Sequence, residues 1–152
     1  MKITLNQDPS IPETEVIINC PHADEDILRI VAMLRIHQKK LVGILNGERR
    51  LLDVKEILYI DTADRKTFLY TSGAVYESAL RLYELEDALH GLDFFRSGRS
   101  GIINFRRVQS IRPELGGRLL VTMDNGEQVY VSRQYAVEIK EKLRELERSL
   151  LK

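Results

Sequence analysis

The sequence has a single cysteine, Cys20, among 152 residues. No intramolecular disulfide can form. With Ile17 and Ile18 beside it, the thiol reads as a buried, inert member of a strand rather than a redox group. Long apolar runs are absent too. None approaches the roughly 20 residues that span a bilayer. The N-terminus, Met1-Lys2-Ile3-Thr4-Leu5, opens on alternation rather than on the apolar stretch of a signal peptide. Both absences predict a cytoplasmic protein. Charge of one sign is also lacking: 23 Lys and Arg balance 23 Asp and Glu, and the pI is about 6.8. Phosphate-binding proteins usually carry a net basic footprint. Any cationic surface on this chain therefore has to be local.

The usual catalytic constellations are missing as well. His22, His37 and His90 are far apart and in no H-x-x-H spacing, and Cys20 has no C-x-x-C partner, so no zinc site is predicted. Ser97-Gly98-Arg99-Ser100-Gly101 superficially suggests a phosphate cradle. No Lys-Ser/Thr follows it, however, and the run enters a strand rather than a helix. The carboxylates of the helical segments alternate with Lys and Arg, as solvated helix faces do. With no nucleophile–base pair and no ligand set, neither an enzymatic activity nor a cofactor is expected.

What is present is a core's worth of apolar residues, 43% of the chain, in short periodic segments. Residues 2–6 and 14–19 read as strands around the turn Asp8-Pro9-Ser10-Ile11-Pro12. After Pro21, the acidic run Asp24-Glu25-Asp26 opens a helix over about 23–38. Its stripe is Ile27, Leu28, Ile30, Val31 and Leu34, and Lys39-Lys40 closes it. Residues 1–45 thus read β-β-α-β, too small a unit to be comfortable alone. From residue 46 to 152 the pattern is a run of strands. Asn46-Gly47 is a hairpin signal. Strands follow at 57–60, 67–71 and 75–77, then a helix over about 80–89 closed by Gly91. Short strands resume from Phe94, with Asp124-Asn125-Gly126 as a second hairpin turn. An amphipathic helix fills about 134–150. The expected class is α+β and mainly antiparallel.

Arginine placement stands out. Residues 96–135 hold Arg96, Arg99, Arg106, Arg107, Arg112, Arg118 and Arg133 and no lysine, opposed only by Glu114, Asp124 and Glu127. The guanidinium fork suits phosphate oxygens and the O6/N7 edge of guanine. Arg99, Arg106, Arg107 and Arg133 fall in or beside predicted turns. For any one arginine the plainer reading is a surface pair with a nearby carboxylate. For the lysine-free cluster the functional reading is preferred.

Three stretches then resemble successive signatures of one family. They are Ile57-Leu58-Tyr59-Ile60, the run Phe94-Phe95-Arg96-Ser97-Gly98-Arg99-Ser100-Gly101-Ile102-Ile103-Asn104, and Asn125-Gly126-Glu127 with Val131-Ser132-Arg133-Gln134-Tyr135. Their order and spacing resemble the LytTR family of bacterial DNA-binding domains over about residues 47–145. The resemblance implies an elongated, mainly antiparallel fold with one short helix, whose loops enter successive major grooves. It implies double-stranded DNA as partner, imperfect direct repeats as target, pairs of domains on DNA, and a homodimer. Residues 1–45 would then be an extension for dimerisation or signal input. Stand-alone members are often paired with a small membrane protein that restrains them, which makes such an inhibitor a second expected partner.

By the same resemblance Arg99 and Arg133 match positions that contact DNA, and Lys66 falls on a loop that supplies another contact. Arg96, Arg106 and Arg107 are expected to hold the phosphate backbone. Asn104 is a turn-former first and a contact second. Many members carry histidine or lysine where this chain has Gly98 or Arg99, and a bulky residue at Gly101. The added glycine predicts a loop with more backbone freedom. The alternative function is a protein-interaction module that keeps the fold with weak or no DNA binding, consistent with the neutral charge.

Overall fold

A computed structural model describes residues 1–36 and 39–150. The chain runs through helix α1 (Glu25–Ile36), then strands β1 (Lys40–Leu45), β2 (Glu48–Asp53), β3 (Ile57–Ala63), β4 (Lys66–Thr71) and β5 (Val75–Ser78). Helix α2 (Leu82–Ala88), β6 (Phe94–Arg96), β7 (Gly101–Asn104), β8 (Val108–Pro113), β9 (Leu119–Met123), β10 (Gln128–Val131) and α3 (Arg133–Leu150) follow. Seven strands form one antiparallel sheet in the order β2-β1-β5-β4-β3-β7-β6, and β10-β9-β8 form a second. The α+β, mainly antiparallel expectation holds.

The hairpins follow from their turn residues. Asn46 and Gly47 take φ of 53° and 76°, the left-handed pair that a tight two-residue loop needs. Between β3 and β4, Asp64 and Arg65 take the same geometry, with φ of 51° and 65°. No glycine relieves that second turn.

Two cores flank the long sheet. Ile57, Ile60, Leu69 and Ile102 face α2, which buries Leu82 and Leu85 against them, with Leu89 just after the helix. On the other side Leu58 and Ile103 meet Val121, Met123 and Val131 of the second sheet and Ala136 and Ile139 of α3. β3 and β7 thus serve both cores, Ile102 and Ile103 by alternation and β3 with a register shift between Ile57 and Tyr59 that turns both Ile57 and Ile60 to the first core. Tyr59 stacks on Tyr70 at 4.3 Å. Burial first, and then the nearby Glu127 carboxylate, pushes the Tyr59 hydroxyl well above its usual range.

The N-terminal reading is corrected. Residues 2–6 and 14–19 form no strand and are exposed apart from half-buried Ile18. Neither core takes a described residue from before Leu41. A strand exists only when its backbone groups have a partner, and here they lack one. Cys20, expected to be buried, is exposed for the same reason. The helix stripe at Ile27, Ile30 and Val31 is real but only half-covered. The expected helix end at 37–38, with His37, lies outside the described residues. No described helix is long and apolar enough to cross a membrane.

Candidate nucleic-acid interface

The arginine cluster divides into two ends of the long sheet. Register fixes the division. Asp61, near the end of β3, pairs with Gly101 at the start of β7, whereas Asn104 at the other end of β7 bonds the Ile57 carbonyl. β3 is seven residues long, so the two ends lie about 20 Å apart.

The first end is built around the β6–β7 loop, Ser97–Ser100. Its backbone is pinned at several points. Ser97 N–H donates to Gly101 O at 3.0 Å, Ser132 N–H donates to Ser97 O at 2.8 Å, and Thr62 N–H donates to Ser100 O at 2.9 Å. These bonds bring together the ends of β3 and β10 and the start of α3. Arg96 completes the loop from behind. Its Nε donates to Gly98 O at 3.0 Å and its Nη2 to Arg99 O at 2.7 Å. Its Nη1 pairs with Glu86 at 3.2 Å, and its guanidinium lies 5.6 Å from the Tyr135 ring centre. All three nitrogens of this guanidinium are engaged within the fold.

Gly101 is part of the same construction. A Cβ there would lie 2.5 Å from Ser97 Oγ, in a position where both residues are buried. The glycine lets the loop close on β7. The expectation of a looser loop is overturned at Gly101, although nothing crowds Gly98.

Exposed cations ring this end. Arg99 projects from the pinned loop, and Arg65 and Lys66 from the β3–β4 turn. Arg133 opens α3, with its stem against the turn Leu115–Gly117: a Cβ on Gly117 would come within 3.0 Å of Arg133 Cγ. Gly116 and Gly117 take φ of 78° and 79°, where a side chain is strained. Arg118 follows them and lies 4.9 Å over Tyr130. Among the described residues Arg65, Arg99, Arg118 and Arg133 form no ion pair, and Lys66 meets Glu77 only at 3.7 Å. Arg96 and Arg112 are the ion-paired arginines of this end, Arg112 with Glu114 at 2.9 Å; the other guanidinium groups have no carboxylate within ion-pair distance among the described residues.

The other end is the reverse. Asn104 is 2% exposed. Its Nδ2 donates to Ile57 O at 2.8 Å, and its Oδ1 accepts from Arg106 N–H at 3.1 Å. Arg106 pairs with Asp93 at 3.1 Å, and Lys142 reaches the same carboxylate at 3.0 Å. Burial pushes the Asp93 carboxyl up, but these two cations outweigh it and hold the group below its ordinary value. Arg107 pairs with Asp124 and also donates to Lys55 O and Ser72 Oγ. Its hydrogen bond keeps Asp124 low as well. Here the arginines serve the fold.

Of the seven site residues read from the sequence, Lys66, Arg96, Arg99 and Arg133 converge on the first end. Asn104, Arg106 and Arg107 lie at the second. The sequence reading did not single out Arg65 or Arg118 as site residues. The available signal was position: Arg65 occupies the second residue of a two-residue hairpin, and Arg118 follows a Gly-Gly turn.

The LytTr DNA-binding domain model matches residues 47–144. The chain belongs to the LytTR family. Its LytTR domain takes in β2 to α3 and both ends just described. A relative from Staphylococcus aureus strain NCTC 8325, named an HTH-type transcriptional regulator, is 26% identical over 145 residues, 94% of this chain and 98% of its own. The sensory transduction protein LytT of Enterococcus faecalis is 33% identical over 101 residues, 65% of this chain and 42% of its own. Among solved structures, a LytTr DNA-binding domain from Bacillus cereus superposes with a TM-score of 0.66 at 26% identity, covering 70% of this chain and 97% of that one. The protein is thus a DNA-binding regulator by family. No two described helices adjoin through a short turn; the exposed cations of the first end sit on the β3–β4 turn, the β6–β7 loop, the residue after the Gly116-Gly117 turn and the first residue of α3.

Proposed function

We propose that this LytTR protein is a sequence-specific transcriptional regulator that reads double-stranded DNA with the end formed by the β3–β4 turn, the β6–β7 loop and the start of α3. The observation that carries the reading is the set of unpaired guanidinium groups there, against ion-paired ones at the opposite end. Arg99 and Arg133 reach base edges in the major groove, where a bidentate fork distinguishes guanine. Arg65, Lys66 and Arg118 hold flanking phosphates. Arg96 acts through Arg99 by fixing its loop. Asn104, Arg106 and Arg107 hold the fold and leave DNA contact to the other end. Two copies act together on tandem sites.

The test is binding of the purified protein to its own upstream DNA, followed by fluorescence anisotropy against a scrambled competitor. Arg99→Ala and Arg133→Ala should each weaken specific binding by about 1–3 kcal/mol, while Arg106→Ala should leave it nearly unchanged. Equal affinity for upstream and scrambled DNA would remove the claim of specificity. A loss from Arg106→Ala as large as that from Arg133→Ala would remove the division between the ends.

A further inference from the structure

The second end of the long sheet holds a cavity that the DNA reading leaves unused. It has a volume of about 250 Å³ and lies between the β2–β3 connection, the entry to β6 and the turn after β7. Its walls are mostly carbon, from Val54, Leu92 and Phe94. Val54 and Leu92 are buried, and Phe94 is half-buried. An apolar space with a few convergent polar groups is the usual form of a small-molecule site, and this one lies just under the common range of roughly 300–1,000 Å³. It suits a compact ligand.

The polar groups of its lining are mostly donors, and some are uncommitted. An Asn amide carries two N–H donors. Asn104, 2% exposed, spends Nδ2 on one acceptor, the Ile57 carbonyl. The second N–H meets no acceptor among the described residues. Asn104 Oδ1 accepts from the Arg106 N–H, which fixes Arg106 beside that free donor. Arg106 spends its Nε on Asp93 and neither Nη. Asp93 is shared with Lys142, so two cations face one carboxylate there. Arg107, by contrast, is fully committed to Asp124, the Lys55 carbonyl and Ser72. Asp53 is the one carboxylate of the lining, and it accepts from the Lys55 N–H at 3.2 Å.

We infer that this cavity is a binding site for a compact aromatic monocarboxylate. The ring lies against Phe94, between Val54 and Leu92, where an offset or edge contact is favoured. The carboxylate accepts from the free Asn104 N–H and from the Arg106 Nη groups, in charge-assisted hydrogen bonds. Its single charge matches the one cation that Asp93 leaves unbalanced. A second negative charge would meet Asp53. A neutral hydrocarbon would leave the buried Asn104 donor unpaired. The inference does not depend on the DNA reading.

The test uses the full chain without DNA and follows the fluorescence anisotropy of 2-naphthoate. The chain has no tryptophan to interfere. Saturable binding with a Kd below about 1 mM is expected. The uncharged analogue 2-naphthamide should bind about tenfold more weakly, and Arg106→Gln should cost a similar factor. Arg99→Ala, at the DNA end, should cost nothing, which separates this cavity from capture of an anion by exposed arginines. Lys55→Glu, at an exposed position, sets a repelling charge at the mouth and should also weaken binding, with an unchanged circular dichroism spectrum. That variant keeps the test valid if Arg106→Gln folds poorly. No saturation at millimolar probe overturns the inference. So does 2-naphthamide binding as tightly as 2-naphthoate, a loss from Arg99→Ala as large as that from Arg106→Gln, or full affinity in Lys55→Glu.

Discussion

Arg65 sits at φ of 65° in a two-residue hairpin, where glycine is the usual occupant. A bulky L-residue in the left-handed region costs roughly 1–2 kcal/mol. The turn carries that strain and gains a guanidinium at the cationic end. Arg65→Gly should therefore stabilise the fold, by up to about 1 kcal/mol in urea unfolding, and at the same time weaken DNA binding. A variant that loses stability, or keeps full affinity, would sever the link between strain and contact. Asn104 is the opposite case, a polar residue spent entirely on the interior. Removing its amide leaves the Ile57 carbonyl and the Arg106 N–H without partners, so Asn104→Ala should cost about 2–3 kcal/mol in the same measurement. Its position at the end of β7 was legible as a turn-former. Its burial was not, because that depends on β3, nearly fifty positions earlier in the chain.

At the scale of elements, the sequence showed strands and hairpins well where short-range signals decide them. Asn46-Gly47 and the alternation in β3 and β4 needed nothing distant. The N-terminal segment was misread because Ile3, Leu5, Val16 and Ile17 have a strand's pattern without a strand's partner. The cationic site was half-read for a related reason. Arg99 and Arg106 are close in sequence, but β7 runs between them and carries them to opposite ends. Only register could reveal this, and register depends on pairing with β3. The same geometry makes Asp93 a clasp between the β6 start, the segment after β7, and α3. Its carboxyl is held below its ordinary value of about 3.8. A depressed acid stabilises the folded state above its unfolded value, and that contribution is lost as pH falls through the folded one. Stability should therefore drop below about pH 4, and Asp93→Asn should flatten that part of the pH profile. A profile unchanged by the substitution would show that Asp93 contributes no acid sensitivity.

At the scale of the whole molecule, affinity has to come from a small number of charges. If Arg65, Lys66 and Arg118 each neutralise a phosphate, the logarithm of the binding constant should fall with that of salt concentration at a slope of about −2.7. A slope near zero would mean that the cationic end is not what meets DNA. A much steeper one would bring in the arginines of the opposite end.

The zero net charge then has a consequence of its own. A chain of zero net charge that gathers unpaired guanidinium groups at one end holds the balancing carboxylates elsewhere, and so is an electric dipole. A uniformly basic protein is pulled toward DNA in any orientation and lingers wherever it lands. A dipole feels little net pull at a distance, but the field of the duplex turns it as it approaches. Most collisions would then begin with the β6–β7 loop leading. Wrong sites, offering only a few phosphates to a few arginines, would be left quickly. Such a protein gives up time spent sliding and gains encounters that begin in the right orientation.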